Sequence, residues 1–229
     1  MRKLFAYTNI MWIVLAGVLA TKLLVSCFIA QYGSVTHFYG SRFDSLLSTA
    51  FYAGMAGWFI FLLIFNKEFC ETTLNRIAAI VGIAAGGLGV LLNFIGFIIV
   101  PGIVLALCEW ILVLPAFAAV FVVIGLAQPQ KSTLQIATFA AAGAPIAGVI
   151  FVRTAASLLF HLGIDALIYR GGTAVAYYLL MMCNSLVYMV LVFGGYLCFF
   201  YLYNAQLNPH SNAPFFNKSK IKKQLPEVL

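Results

Sequence analysis

Polar residues punctuate this chain at wide intervals, and the apolar runs between them are long enough to cross a bilayer. A hydrocarbon core of ~30 Å takes about 20 helical residues. Six stretches reach that length: residues 9–30, 46–66, 77–98, 104–127, 134–160 and 173–203. The pattern predicts an all-α integral membrane protein, a bundle of about six transmembrane helices over residues 1–204, with a basic tail at 205–229. The third and fourth stretches are nearly continuous. Val100-Pro101-Gly102 interrupts them, and Pro-Gly is a strong turn signal, so a tight hairpin is expected there. The connection NKEFCETTLNR is short and polar, and QPQKST offers Ser132 as a cap for the next helix. Pro145 lacks a backbone donor and predicts a kink in the fifth stretch. The last stretch is longer than a bilayer needs and ends in CFFYLYN. Its Tyr201 and Tyr203 suit the interface, and the excess length implies tilt or projection.

Within two stretches the small residues fall on one helix face. Gly82, Gly86, Gly89, Asn93 and Gly96 step by four and three along the third. Ala137, Ala141, Ala144 and Gly148 do the same on the fifth. Helices in lipid gain from close approach, which small seams permit, so both stretches are expected to pack closely against other helices. Asn93 adds an amide able to hydrogen-bond a neighbour, a contribution of roughly 0.6–2 kcal/mol.

Composition sharpens the class. Hydrophobic residues make up 64% of the chain and charged residues 8%, against about 25% charged in an ordinary soluble domain. Such a chain cannot cover itself in polar surface. The N-terminus has a charged start and an apolar run like a signal peptide. The run is long and no small-x-small site closes it, so it reads as a retained first span. Five cysteines, Cys27, Cys70, Cys108, Cys183 and Cys198, are scattered without a C-x-x-C pair and signal neither a zinc site nor a disulfide framework.

The net charge is +7, and its placement says more than its size. With the N-terminus in the cytoplasm, Arg2, Lys3, Lys67, Arg76, Lys131 and the tail residues Lys218, Lys220, Lys222 and Lys223 lie inside, while Arg42 and Arg170 lie outside. This satisfies the positive-inside rule, and an even number of spans then returns the C-terminus to the cytoplasm, an N-in/C-in topology. A cysteine placed at Ser219 should stay hidden from an impermeant thiol reagent on intact cells, while one at Ser41 reacts. The opposite pattern would overturn the orientation. The tail suits anionic lipid headgroups or an acidic protein partner, and nothing accompanies it that would make a nucleic-acid-binding module.

Charges within spans are costly and mark candidate sites. At ~1.5 Å per residue, Lys22, Glu109 and Arg153 all reach one level near the outer surface. Glu109 paired with Lys22 or Arg153 would make an ion pair in an outer-side pocket. The stretch VRTAASLLFHLGIDALIYR adds a polar stripe: Arg153, Ser157, His161 and Asp165 are four residues apart. The plainer reading has Lys22 and Arg153 snorkelling to headgroups and the His161–Asp165 stretch lying at the interface. His37, Arg42, Asp44 and Arg170 are placed beyond or beside this level, and the inner half holds almost no ionisable group. That pattern argues against a proton or ion path through the full depth.

Several chemistries are set aside. There is no lysine in the last span for a retinal Schiff base, no facing histidines for haem, and no G-x-x-x-x-G-K-[ST], H-E-x-x-H or G-x-S-x-G. Ser157, His161 and Asp165 would stand in a row on one helix rather than converge as a triad. No cofactor and no metal site is expected. The sequence points to a non-enzymatic, transport-related component of the plasma or inner membrane, a small carrier or substrate-binding subunit. Its partners would be membrane lipid and other membrane subunits or copies of itself. A purely structural subunit is the alternative, and an intramembrane enzyme a more distant one. A carrier encloses its polar groups and seams within its own helices, whereas a structural subunit turns its seams outward.

Overall fold

Each apolar stretch folds as helix because lipid offers no partner for backbone N–H and C=O groups, and a helix satisfies them within one segment. The computed structural model describes residues 2–32, 34–67, 69–99, 103–128, 132–151 and 174–207. In chain order the helices are α1 (Arg2–Tyr32), α2 (Ser34–Phe65), α3 (Thr73–Ile99), α4 (Ile103–Cys108), α5 (Leu114–Leu126), α6 (Thr133–Phe151) and α7 (Ala174–Leu207). A single 3-10 turn, Phe69–Glu71, separates α2 from α3, and a π-helical turn, Glu109–Val113, joins α4 to α5. No strand occurs among the described residues. Five helical stretches are long and apolar enough to cross a membrane: Arg42–Phe65, Thr73–Ile99, Glu109–Leu126, Thr133–Phe151 and Met189–Leu207. A shorter apolar stretch, Ala6–Lys22, lies in α1. The chain is an all-α membrane bundle.

One boundary differs from the sequence reading. α2 begins at Ser34 rather than near residue 46, so the polar segment carrying Arg42 and Asp44 continues the helix instead of forming a connection. Hydropathy marks only where a helix becomes apolar, and the backbone ladder runs on into polar residues. The hairpin expected at 100–102, the stripe from Arg153 to Asp165 with Arg170, and the basic tail lie outside the described residues.

Local chemistry sets the helix ends. The Asn66 side chain accepts from the Phe69 N–H at 3.2 Å and closes α2. Thr72 Oγ1 accepts from the Asn75 N–H at 3.3 Å and opens α3. Ser132 Oγ accepts from the Gln135 N–H at 3.1 Å, so the expected cap of α6 is formed. The π turn has a sequence cause in Pro115, at the start of α5. Proline has no N–H for the carbonyl four residues back and its ring crowds that carbonyl. The helix widens instead, and the Leu114 N–H bonds to the Glu109 carbonyl.

The helices pack as a closed ring. α1 meets α2, α2 meets α3, α3 meets α5, α5 meets α6, α6 meets α7, and α7 returns to α1. Aromatic side chains fill the middle. Trp58 of α2 meets Phe199, Phe200 and Tyr203 of α7 edge-on, at 5.5, 5.1 and 5.5 Å between ring centroids. Phe59 of α2 reaches Phe117 and Phe121 of α5, and Phe121 reaches Tyr196 and Phe199 of α7. Edge-on pairs of this kind add about 0.5–1.5 kcal/mol each beyond area burial. Because lipid is as apolar as the core, this shape complementarity is what holds the helices together.

The small seams lie at the tightest of these contacts. A Cβ on Gly82 would fall 2.6 Å from the Phe59 ring, one on Gly86 2.8 Å from the Ala56 Cβ, and one on Gly89 2.6 Å from the Tyr52 ring. The α3 seam thus faces α2. Gly96 is also buried on α3. On α6, Ala137, Ala141 and Gly148 are buried and Ala144 is half-buried. A Cβ on Gly148 would meet Leu191, and one on Gly195 of α7 would lie 2.9 Å from the Ala140 carbonyl oxygen. That close approach adjoins the Ala141 carbonyl, the one that loses its helical donor to Pro145. The seams therefore serve contacts within the chain, α3 with α2 and α6 with α7.

Candidate functional site

Asp44, Ser48 and Tyr52 follow one another at helical spacing along α2, and a helix places such residues in one stripe. Opposite the first two stands Lys22 of α1, only 2% exposed. Its ammonium donates to Asp44 Oδ1 at 2.6 Å and to Ser48 Oγ at 2.7 Å, with the Asp44 carbonyl at 3.4 Å. The Phe193 ring of α7 lies beneath it, 5.4 Å from the centroid. An ammonium has three hydrogens, and here they face three acceptors. The partner is less enclosed: the Asp44 side chain is 42% exposed. Lys22 does not snorkel to the headgroups, since its charge turns inward to a neighbouring helix.

The third member of the stripe points elsewhere. The Tyr52 ring lies over Gly89 of α3 and stacks on Phe117 of α5, with centroids 6.0 Å apart and planes 7° from parallel. Its hydroxyl donates to a Glu109 carboxylate oxygen. The Asn93 amide lies near Glu109 and donates to the Gly89 carbonyl at 3.0 Å. Glu109 is half-buried at the start of the π turn, in the electrostatic field of both Lys22 and Asp44. Buried Tyr196 of α7 lies in the field of Glu109 in turn. The cluster thus joins α1, α2, α3, α7 and the π turn at one end of the ring.

Sequence reasoning placed Lys22 and Glu109 at one level, and the structure brings them into one cluster. It pairs them differently. The ammonium goes to Asp44 rather than to Glu109, and Glu109 accepts the Tyr52 hydroxyl; the alternative pairing of Glu109 with Arg153 lies outside the described residues. Asp44, Ser48 and Tyr52 were missed as site residues, although their four-residue spacing was legible. Asp44 lay outside the span that hydropathy delimited, and so the stripe went unseen. Arg153, Ser157, His161 and Asp165 lie outside the described residues.

At the opposite end of the ring the helices are tied by hydrogen bonds between neutral side chains. Asn66 donates to the Tyr203 hydroxyl at 3.2 Å, and Asn204 and Trp12 both donate to Asn9 Oδ1, at 3.2 and 3.0 Å. The Trp58 indole donates to Thr8 at 3.2 Å. These bonds tie α1 and α2 to α7 and satisfy donors that lipid would leave unpaired. Nearby, in the connection after α2, burial pushes the Cys70 thiol above its usual range, with the Arg76 guanidinium opposing in part. Among the described residues no three His, Cys, Asp or Glu side chains gather as a metal site would require. In comparisons with known proteins, the chain matches no family model, no curated protein and no solved structure.

Proposed function

We propose that the chain is a non-enzymatic, transport-related membrane component that holds a small polar ligand at the Lys22–Asp44–Ser48 and Tyr52–Glu109–Asn93 cluster. One observation carries this reading: a nearly inaccessible ammonium, Lys22, stands with Asp44 at one end of an apolar bundle, in the same cluster as a second carboxylate, Glu109. Ionisable groups within spans are expensive and mark ligand or ion sites. The π turn that presents Glu109 is a second support, since such turns concentrate at functional sites. The aromatic core speaks for binding rather than open conduction. Trp58, Phe59, Phe117 and Phe121 are fully buried between this cluster and the Asn66–Tyr203 end. The internal seams favour the reading over that of a structural subunit, which would turn them outward. With both termini in the cytoplasm, the cluster opens on the outer side of a plasma or inner membrane, and the basic tail meets anionic lipid or a partner subunit.

The test is a thermal-shift panel of small anionic, neutral and cationic solutes on the protein in nanodiscs. Wild type and the variant carrying both Lys22→Met and Glu109→Gln are compared. At least one solute class should stabilise wild type in a saturable way and lose that effect in the variant. If every solute acts alike on both proteins, the cluster is not a binding site and the structural-subunit reading takes its place.

A further inference from the structure

The rod made of α4, the π turn and α5 is held unevenly along its length. On the α5 side of the turn, Val113, Phe117 and Phe121 are wholly buried and Leu114 nearly so, which pins α5 in the core. On the other side, α4 rests on α3, and none of its described side chains is buried. Val104 and Leu107 are exposed, Leu105 and Cys108 half-buried. A segment with so few buried contacts moves more easily than the core it adjoins. Glu109 stands at the junction as the first residue of the turn, and its carboxylate accepts from the Tyr52 hydroxyl of α2.

A π turn is a choice of register as well as a bend. Here the Leu114 N–H reaches the Glu109 carbonyl, five residues back. In an α-helix it would reach the residue four back. Closing to that register winds in one residue's worth of helix. With α5 pinned, Glu109 and α4 then rotate by about 100° and shift by about 1.5 Å, and the carboxylate leaves Tyr52. Two local features hold the wider register. The Pro115 ring crowds the carbonyl four residues before it. The Tyr52 hydroxyl fastens Glu109 to α2. Pro115 is itself exposed, so it acts through the backbone of the rod and not through the cluster.

We infer that the Glu109–Val113 turn is a hinge with two registers, latched in its π form by Tyr52, and that its closure to α-helix swings Glu109 out of the polar cluster. The hinge is a property of the helix and stands whether or not the cluster holds a ligand. With the latch made, Glu109 joins Tyr52 beside Lys22, Asp44 and Ser48. With the latch broken, the tie between α2 and the turn is gone, and α4 turns on α3. The state of the cluster and the position of α4 are thus two readings of one equilibrium.

The three tryptophans make the test possible in full-length protein: Trp12 lies on α1, Trp58 in the core on α2, and Trp110 in the turn itself. Fluorine NMR of protein carrying 5-fluorotryptophan, in nanodiscs, reads each one, with assignments from Trp12→Phe, Trp58→Phe and Trp110→Phe. Tyr52→Phe keeps the ring and removes the latch. Pro115→Ala removes the crowding and leaves the cluster untouched. Losing a hydrogen bond to a charged group changes an equilibrium about tenfold, so Tyr52→Phe should populate the α register by that factor. Both variants should move the Trp110 signal in the same direction, or raise the same second Trp110 signal, while Trp12 and Trp58 stay in place. The double variant should go further along the same course. Should one variant fail to fold, the other decides by itself. A Trp110 signal unmoved in the folded variants would overturn the hinge. So would opposite movements in the two variants, or movement of Trp12 and Trp58 as large as that of Trp110.

Discussion

Asp44→Asn should destabilise the bundle far more than Lys22→Met, although both break the same ion pair. Asparagine keeps the shape of aspartate and its oxygen can still accept from Lys22, so the change removes little besides charge. It leaves an ammonium that is 2% exposed without a counter-ion at hydrogen-bonding distance. Stranding a buried charge costs about 3–5 kcal/mol, and the remaining contacts with Ser48 and Phe193 place this case near the lower end. Lys22→Met strands the other partner, and Asp44 is 42% exposed in its side chain. A carboxylate with that access rehydrates, so the loss should be about 0–1 kcal/mol, the range for exposed pairs. The double variant should cost less than the two single changes added together, by more than about 0.5 kcal/mol. Equilibrium unfolding in mixed micelles measures all three. Equal single effects that simply add would mean that the pair does not hold α1 to α2.

Gly86→Leu carries the second large effect. A Cβ at this position would sit 2.8 Å from the Ala56 Cβ and 3.0 and 3.1 Å from the Ala56 backbone nitrogen and Cα. A side chain can rotate away from an intruder, but a helix backbone has to translate. α2 and α3 must separate, at an overpacking cost of about 1–3 kcal/mol or more. The consequence extends to the polar cluster. One turn along, the Tyr52 ring rests on Gly89, and its hydroxyl reaches Glu109 only while the two helices stay in contact. Gly86→Leu should therefore reduce ligand binding as well as stability. Gly87→Leu is the matched control, because nothing lies within 4 Å of a Cβ there, and it should change stability by no more than about 0.5 kcal/mol. If the two leucine variants unfold alike, the seam is not the α2–α3 contact.

The tests address different links of one chain of causes. The pair Lys22–Asp44 joins α1 to α2, the glycine seam joins α2 to α3, and the π turn set by Pro115 carries Glu109 toward both. A failure at the seam should lower stability and binding together. Glu109→Gln should lower binding with little loss of stability, since glutamine keeps the shape of the side chain and can still accept from the Tyr52 hydroxyl.

Much of this architecture is determined by the sequence alone. Apolar runs of bilayer length have to become helices, because only an internal ladder satisfies their backbone in lipid. The steps of four and three from Gly82 to Gly96 put the small residues on one face whatever lies opposite. The levels of Lys22 and Glu109 follow from the fixed rise of a helix. Pro115 and Ser132 write the π turn and the α6 cap locally. Tertiary structure decided the partners. The ring order that seats α3 on α2 and α6 on α7, the choice of Asp44 over Glu109 as counter-ion for Lys22, and the Tyr52 hydroxyl on Glu109 all depend on how helices rotate about their axes. Rotation is set by the fit of whole surfaces, Phe59 on Gly82 or Trp58 among the rings of α7. One chain's periodicity gives each helix a face but no neighbour for it. Asp44 shows the difference most directly. Its spacing from Ser48 and Tyr52 was fixed along the chain, while its role came from a lysine on another helix that packing brought within 2.6 Å.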